Sequence, residues 1–154
     1  MSISKRGFVL SGFALSTLLW LPPAYADGVL INTDENNLAI QGYDTVAYFT
    51  VGHPEKGSAD NEVMWRGARW WFATQANRDR FSASPESYAP QFGGFCALGM
   101  ALGQKLKADP QAWVIVDGKL YMNYNKEVLT EMSADIPGNF AKAERNWKTL
   151  QPQN

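Results

Sequence analysis

One residue in the chain combines nucleophilic chemistry with an unusual setting. Cys96 is the single cysteine among 154 residues, and it follows a double glycine in Gln91-Phe92-Gly93-Gly94-Phe95-Cys96-Ala97. A thiol reacts as its thiolate, with an oxidant to give a sulfenic acid or with a disulfide to give a mixed disulfide. If a helix begins near Phe95, the sulfur lies in its first turn, where unpaired N–H groups and the helix dipole favour an anion. Gly93 and Gly94 permit a sharp backbone bend and leave space above the sulfur. Packed beside Phe95 and Leu98 instead, the same thiol is a small inert hydrophobe. Met100 follows four residues on, so two soft sulfurs share a helix face that suits Cu(I) better than zinc, although a methionine at this spacing also suits a core.

Other chemistries have little to stand on. The single histidine, His53, sits in a Gly-His-Pro loop and reads as a surface residue rather than a catalytic base. A zinc site needs three or four nitrogen or sulfur ligands, which one Cys and one His cannot supply. There is no GxGxxG, P-loop, HExxH, GxSxG or EF-hand pattern. No residue pattern names a cofactor, and no metal ligand set is assigned. The aromatic residues offer the second reading. Trp65, Trp70, Trp71, Tyr88, Phe92 and Phe95 either fill the core or line a pocket for an apolar or aromatic ligand, or a partner surface. Tyr43 and Asp44 supply a polar contact beside such a pocket, or simply a turn and a helix cap. The candidate ligand-binding set is Tyr43, Asp44, Trp71, Gly93, Gly94 and Phe95.

These residues must be positioned by short elements. Leu38 to Gln41 predicts a short strand, and Asp44 caps a brief helix through Thr45 to Phe49. Val51 to Asn61 reads as a loop. Val63-Met64-Trp65 and Arg69-Trp70-Trp71-Phe72 form a hairpin around Arg66-Gly67-Ala68. Thr74 caps a helix carrying Ala76, Arg80 and Phe81, and Ser84-Pro85-Glu86 starts another. Phe95 to Leu102 is helical, weakened by Gly99. Lys105 to Pro110 is a polar connection. Trp113 to Val116 and Lys119 to Met122 pair around Asp117-Gly118, whose residues accept the positive φ of a two-residue turn. Asn125 caps a helix through Val128, Leu129 and Met132. In the last helix, Ile136 to Leu150, the residues Ile136, Phe140, Ala143, Trp147 and Leu150 share a face. The fold class is α+β: one small domain with two β-hairpins and several helices. No internal repeat is evident.

Residues 1–26 have the form of a cleaved signal peptide. Lys5 and Arg6 precede the apolar run Gly7 to Leu21, and Ala24-Tyr25-Ala26 is a small-x-small cleavage pattern. Ser4-Lys5-Arg6-Gly7-Phe8 also resembles a twin-arginine signal with lysine first, although the ordinary secretory reading is the simpler one. Residues 27–37 read as a flexible lead-in, 38–150 as the folded domain and 151–154 as a tail. The formal net charge of −1 carries no basic stripe, which argues against nucleic acid as partner. Once the signal is cleaved, no stable membrane anchor remains. Five of the six tryptophans lie in the mature part, enough large rings to build a core without a disulfide.

Several stretches resemble one family. They are Ala39-Ile40-Gln41-Gly42-Tyr43-Asp44-Thr45-Val46-Ala47-Tyr48-Phe49, the segment from Trp65 to Tyr88, the Gln91 to Ala97 stretch, Asp109 to Trp113 and Asp117 to Tyr124. In this order they resemble the exported YHS domain-containing (seleno)protein family, from Leu38 to Leu150. The resemblance implies a YHS-like fold and export, in a bacterium to the periplasm. Metal-linked YHS modules carry cysteines where Ala47, Ala73 and Asn77 stand here, so their metal site is not implied. Some exported members carry selenocysteine at the position of Cys96, which implies redox use of this atom, with an external thiol or redox partner protein completing a cycle that the chain cannot close alone. Function therefore divides between a thiol-redox protein acting through Cys96 and a non-enzymatic module that binds a ligand, a partner or a soft metal.

Overall fold

The computed structural model describes residues 30–150. The predicted signal peptide, the start of the lead-in and the tail lie outside the described residues. The elements are α1 (Ala47–Thr50), β1 (Ser58–Trp65), β2 (Ala68–Phe72), α2 (Gln75–Ala83), α3 (Pro85–Tyr88), α4 (Ala97–Ala101), β3 (Asp109–Val116), β4 (Lys119–Asn123), α5 (Lys126–Ser133) and α6 (Ile136–Leu150), with 3-10 turns at Ile40–Gly42 and Gln91–Gly94. The strands form two separate two-stranded antiparallel sheets. This is the small α+β domain expected.

The chain builds one unit twice. Each unit opens on a 3-10 turn with residues at positive φ: Ile40, Gln41 and Gly42 in the first, Phe92, Gly93 and Gly94 in the second. A short helix follows, then a hairpin of an eight-residue and a five-residue strand. Both hairpins turn on two residues at positive φ, Arg66-Gly67 and Asp117-Gly118, the geometry of the tight turns that match strand twist. Both registers slip at the same place, between Ser58 and Glu62 and between Asp109 and Trp113. Both hairpins run into a capped helix: the Thr74 hydroxyl accepts from the Asn77 N–H at 3.1 Å, and Asn125 Oδ1 accepts from the Val128 N–H at 2.8 Å. Phe81 and Met132 plug the cores at matching points of α2 and α5. The expectation of no internal repeat is corrected for architecture. It missed the repeat because Val63 with Val114 and Gly67 with Gly118 are the only identities between the hairpins.

Two core clusters result. The first gathers Val46, Tyr48, Trp70, Phe72 and Phe81, and the second gathers Phe95, Leu98, Met100, Tyr121 and Met132. Strand β4 serves both, sending Leu120 and Met122 into the first and Tyr121 into the second, so it reads as a continuous buried run rather than an alternating one. The Tyr48 hydroxyl ties the units by donating to the Pro110 carbonyl at 2.9 Å.

Three local expectations change. Leu38 to Gln41 is not a strand: Leu38 and Ala39 make isolated bridges, and Ile40 and Gln41 turn away at φ 49° and 53°. The loop after Val51 ends at Gly57, because β1 already begins at Ser58 with exposed polar residues that gave no apolar alternation. Likewise β3 starts at Asp109, inside the connection expected through Pro110. The last helix has the expected bounds, Ile136–Leu150.

Candidate functional site

Cys96 is the N-cap of α4, with its sulfur accepting the Gly99 N–H at 3.3 Å. The amide directed at the sulfur is as the sequence led one to expect. The exposure is not. Cys96 has no accessible surface and lies in the second core cluster with Phe95, Leu98 and Met100. The expected opening above the sulfur is also absent. A side chain on Gly93 would strike the Leu30 carbonyl, and one on Gly94 would strike the δ-methyl of Ile40, so the room left by the two glycines is already filled. Asn32 fastens this packing twice, its backbone N–H donating to the Gly93 carbonyl at 2.8 Å and its side-chain Nδ2 to the Gly94 carbonyl at 3.1 Å. Met100 is equally buried. Among the described residues, no group of three or more His, Cys, Asp or Glu could hold a metal ion.

The equivalent place in the first unit is held by Asp44, also fully buried. Its Oδ1 accepts from the N–H groups of Val46 and Ala47 at 2.8 and 3.1 Å, so it braces the turn before α1, whose N-cap is Val46 rather than Asp44 and which runs Ala47–Thr50 rather than from Thr45. Its Oδ2 accepts from the Ala73 N–H at 2.9 Å and from Asn77 Nδ2 at 2.8 Å. Four donors spend the carboxylate on structure, and burial closes it to any ligand. In the second unit two residues divide this work. Cys96 Sγ takes the Gly99 N–H, Asn123 Oδ1 takes the Leu98 N–H at 3.4 Å, and the thiol lies 3.9 Å from that same oxygen. Asn123 is fully buried, and its Nδ2 has no partner among the described residues. No sequence signal marked Asn123, which stands where the first hairpin has Phe72.

The remaining predicted ligand residues do not converge. Tyr43 lies under Lys56, whose Nζ is 4.1 Å from the ring centroid, and its hydroxyl is 3.4 Å from Gln111 Nε2. The Trp71 indole donates to Glu62 Oε2 at 2.7 Å, and the guanidinium of Arg69 holds the same carboxylate at 2.8 Å. These bonds, Arg69 foremost and Trp71 next, hold the Glu62 carboxyl below its ordinary range. Phe95 is buried against α4, and Trp70 is a core residue, 1% exposed. Burial pushes the Tyr48 phenol far up, aided by the nearby charges of Tyr43, Asp109 and Asp44.

An open cleft lies elsewhere, with a volume of about 560 Å³. Both hairpin turns reach it, through Trp65-Arg66 and Asp117-Gly118-Lys119. Its walls also carry Leu30, Glu86, Phe92, Gly93 and Trp147. Of the predicted ligand set only Gly93 borders it, and of the wider aromatic set only Trp65 and Phe92. Phe92 and Trp147 meet at 65° with ring centroids 6.2 Å apart. Arg66 covers Trp65, with its guanidinium carbon 4.5 Å from the ring, and faces Glu86 at 3.8 Å. Sequence reasoning missed Arg66, Glu86, Lys119 and Trp147. One signal was present: arginine stands at a turn position that prefers Asn, Asp or Gly.

Compared with known proteins, the chain matches no family model, no curated protein and no solved structure.

Proposed function

We propose that this chain is an exported, YHS-like, non-enzymatic binding module that takes a small, partly aromatic ligand in the cleft between its two hairpin turns. The observation that carries this reading is the pairing of an open concavity with two half-buried tryptophans, Trp65 and Trp147, and the buried Phe92 at its border. Trp65, Phe92 and Trp147 border about 560 Å³, inside the range of about 300–1,000 Å³ typical of small-molecule pockets. The lining sets these rings beside the charged side chains of Arg66, Glu86, Asp117 and Lys119, so it offers a ligand both apolar contact and polar anchors. Export is supported by the basic start, apolar run and Ala24-Tyr25-Ala26 of the sequence, and the YHS-like reading by the ordered motifs from Leu38 onward.

Thiol-redox chemistry at Cys96 is the second reading. It is favoured by the Gly99 amide aimed at the sulfur. It requires local opening of the α4 region, because the sulfur is sealed in the structure. It also requires an external thiol or partner protein, since the chain holds no second cysteine.

Mass spectrometry of the protein taken from its native compartment tests both readings. A small-molecule mass that survives gentle ionisation, leaves on denaturation and is lost in Trp147→Ala is the expected result. Mass retained on Cys96 after denaturation would establish the second reading instead. Protein of bare sequence mass whose cleft signals answer to no small aromatic compound would remove the first.

A further inference from the structure

We infer that the cleft selects a zwitterionic aromatic molecule of the amino-acid class, with Arg66 taking its carboxylate, Glu86 its ammonium, and Phe92 with Trp147 its ring; this rests on the cleft being a ligand site. Three observations lead there. The first is charge. The cleft lining holds both signs in balance, two cations at Arg66 and Lys119 against two anions at Glu86 and Asp117. A singly charged ligand would satisfy one side chain of the rim pair and strand its partner, whereas a ligand bearing both charges satisfies both.

The second is the state of that pair. Arg66 and Glu86 stand 3.8 Å apart, with side chains 51% and 68% exposed. A contact this long and this wet is weak, so a carboxylate and an ammonium can replace it at little cost. Arginine's planar fork can then accept a carboxylate in two parallel bonds, which a lysine cannot.

The third is backbone conformation. Arg66 sits at φ 48°, where a side chain with a β-carbon is disfavoured and Gly, Asn or Asp is the usual occupant. The matching position of the second hairpin has Asp117, which tolerates it at φ 50°. An arginine retained in an unfavourable conformation at the mouth of a cleft, stacked on Trp65, has a use other than making the turn.

The experiment is a titration of the folded protein with L-phenylalanine, followed through the indole N–H resonances of Trp65 and Trp147. N-acetyl-L-phenylalanine, L-phenylalanine amide and indole run in parallel. The blocked forms represent the C-terminus and N-terminus of a peptide, so they separate a free amino acid from a chain end. The expected result is that L-phenylalanine moves both indole signals and binds at least tenfold more tightly than either blocked form. Arg66→Gly relieves the turn, so this variant stays folded, and it should bind L-phenylalanine at least tenfold more weakly than the wild type. Equal binding of the free and blocked forms overturns the inference, as does undiminished binding by Arg66→Gly. If indole alone moves the cleft signals, the zwitterion preference fails while the cleft remains a binding site. If none of the four compounds moves them, both readings fail.

Discussion

Asp44 and Cys96 stand at the same point of two equivalent loops, and they hold their helices by different means. Asp44 collects four hydrogen bonds on one buried carboxylate, joining the start of α1 to Ala73 and α2. At the second site a sulfur takes one amide and Asn123 takes the next. A thiol is larger than a carboxylate oxygen and a weaker acceptor, so it cannot gather several donors at short range. At the hairpin position where the first unit has the core residue Phe72, the second has Asn123, whose Oδ1 takes the neighbouring amide. Each loop keeps one buried polar atom without a partner among the described residues, Thr45 Oγ1 in the first unit and Asn123 Nδ2 in the second. The presence of a cysteine at a helix start does not by itself signal catalysis, since here it occupies the place of an ordinary cap.

The sharpest way to break this comparison is Asp44→Ala. It removes the carboxylate that four donors share, leaving the Val46 N–H and Asn77 Nδ2 stranded in the core, and should cost on the order of 3–5 kcal/mol in urea denaturation. A loss below about 1 kcal/mol would mean that water replaces the carboxylate and that Asp44 does not join α1 to α2. Asn123→Ala should cost about 2 kcal/mol, because the Leu98 N–H loses its acceptor inside the core. A double-mutant cycle between Asn123→Ala and Cys96→Ala should show non-additive coupling of about 0.5–1.5 kcal/mol if the two share one cap.

Cys96→Ser comes next, at about 1 kcal/mol or less, since a hydroxyl is itself a good cap acceptor. The matching chemical test is alkylation. Folded protein should resist iodoacetamide at neutral pH while denaturant-unfolded protein reacts fully, and rapid reaction of the folded protein would return the thiol reading to first place. Glu62 sets a smaller effect on the first hairpin. Its carboxyl titrates below its unfolded value, so the stability it adds is complete above that value and is lost as pH falls through the folded one. Glu62→Gln should therefore flatten the acid side of the stability profile without moving the neutral plateau by more than about 1 kcal/mol. The smallest effect is at the turns: Arg66→Gly should raise stability by a few tenths of a kcal/mol, roughly the relief of positive φ less the added freedom of glycine when unfolded, while Asp117→Gly gains nothing.

Local signals account for what could be read in advance. Asp117-Gly118, the Thr74 and Asn125 caps and the four-and-three spacing of α6 are written in neighbouring residues, and all reappear in the structure. Ile40 shows the limit. A β-branched residue at φ 49° contradicts its own preference, and its δ-methyl packs on Gly94, a residue far along the chain. The exposed polar start of β1 and the buried Asn123 likewise depend on partners that sequence neighbours do not announce. The cleft was the least legible part, because Leu30, the two turns, the Glu86 to Gly93 stretch and α6 reach it from five separate parts of the chain. The glycines beside Cys96 were rightly singled out, but they serve close packing by Leu30 and Ile40 rather than entry for a reactant.

Strand β4 acts as a party wall. With Leu120 and Met122 on one side and Tyr121 on the other, it belongs to neither half alone. Amide protons of β4 should therefore exchange only when the whole domain opens, at the slowest rate in the chain, and the first and second halves should not melt as separate steps despite their matching plans.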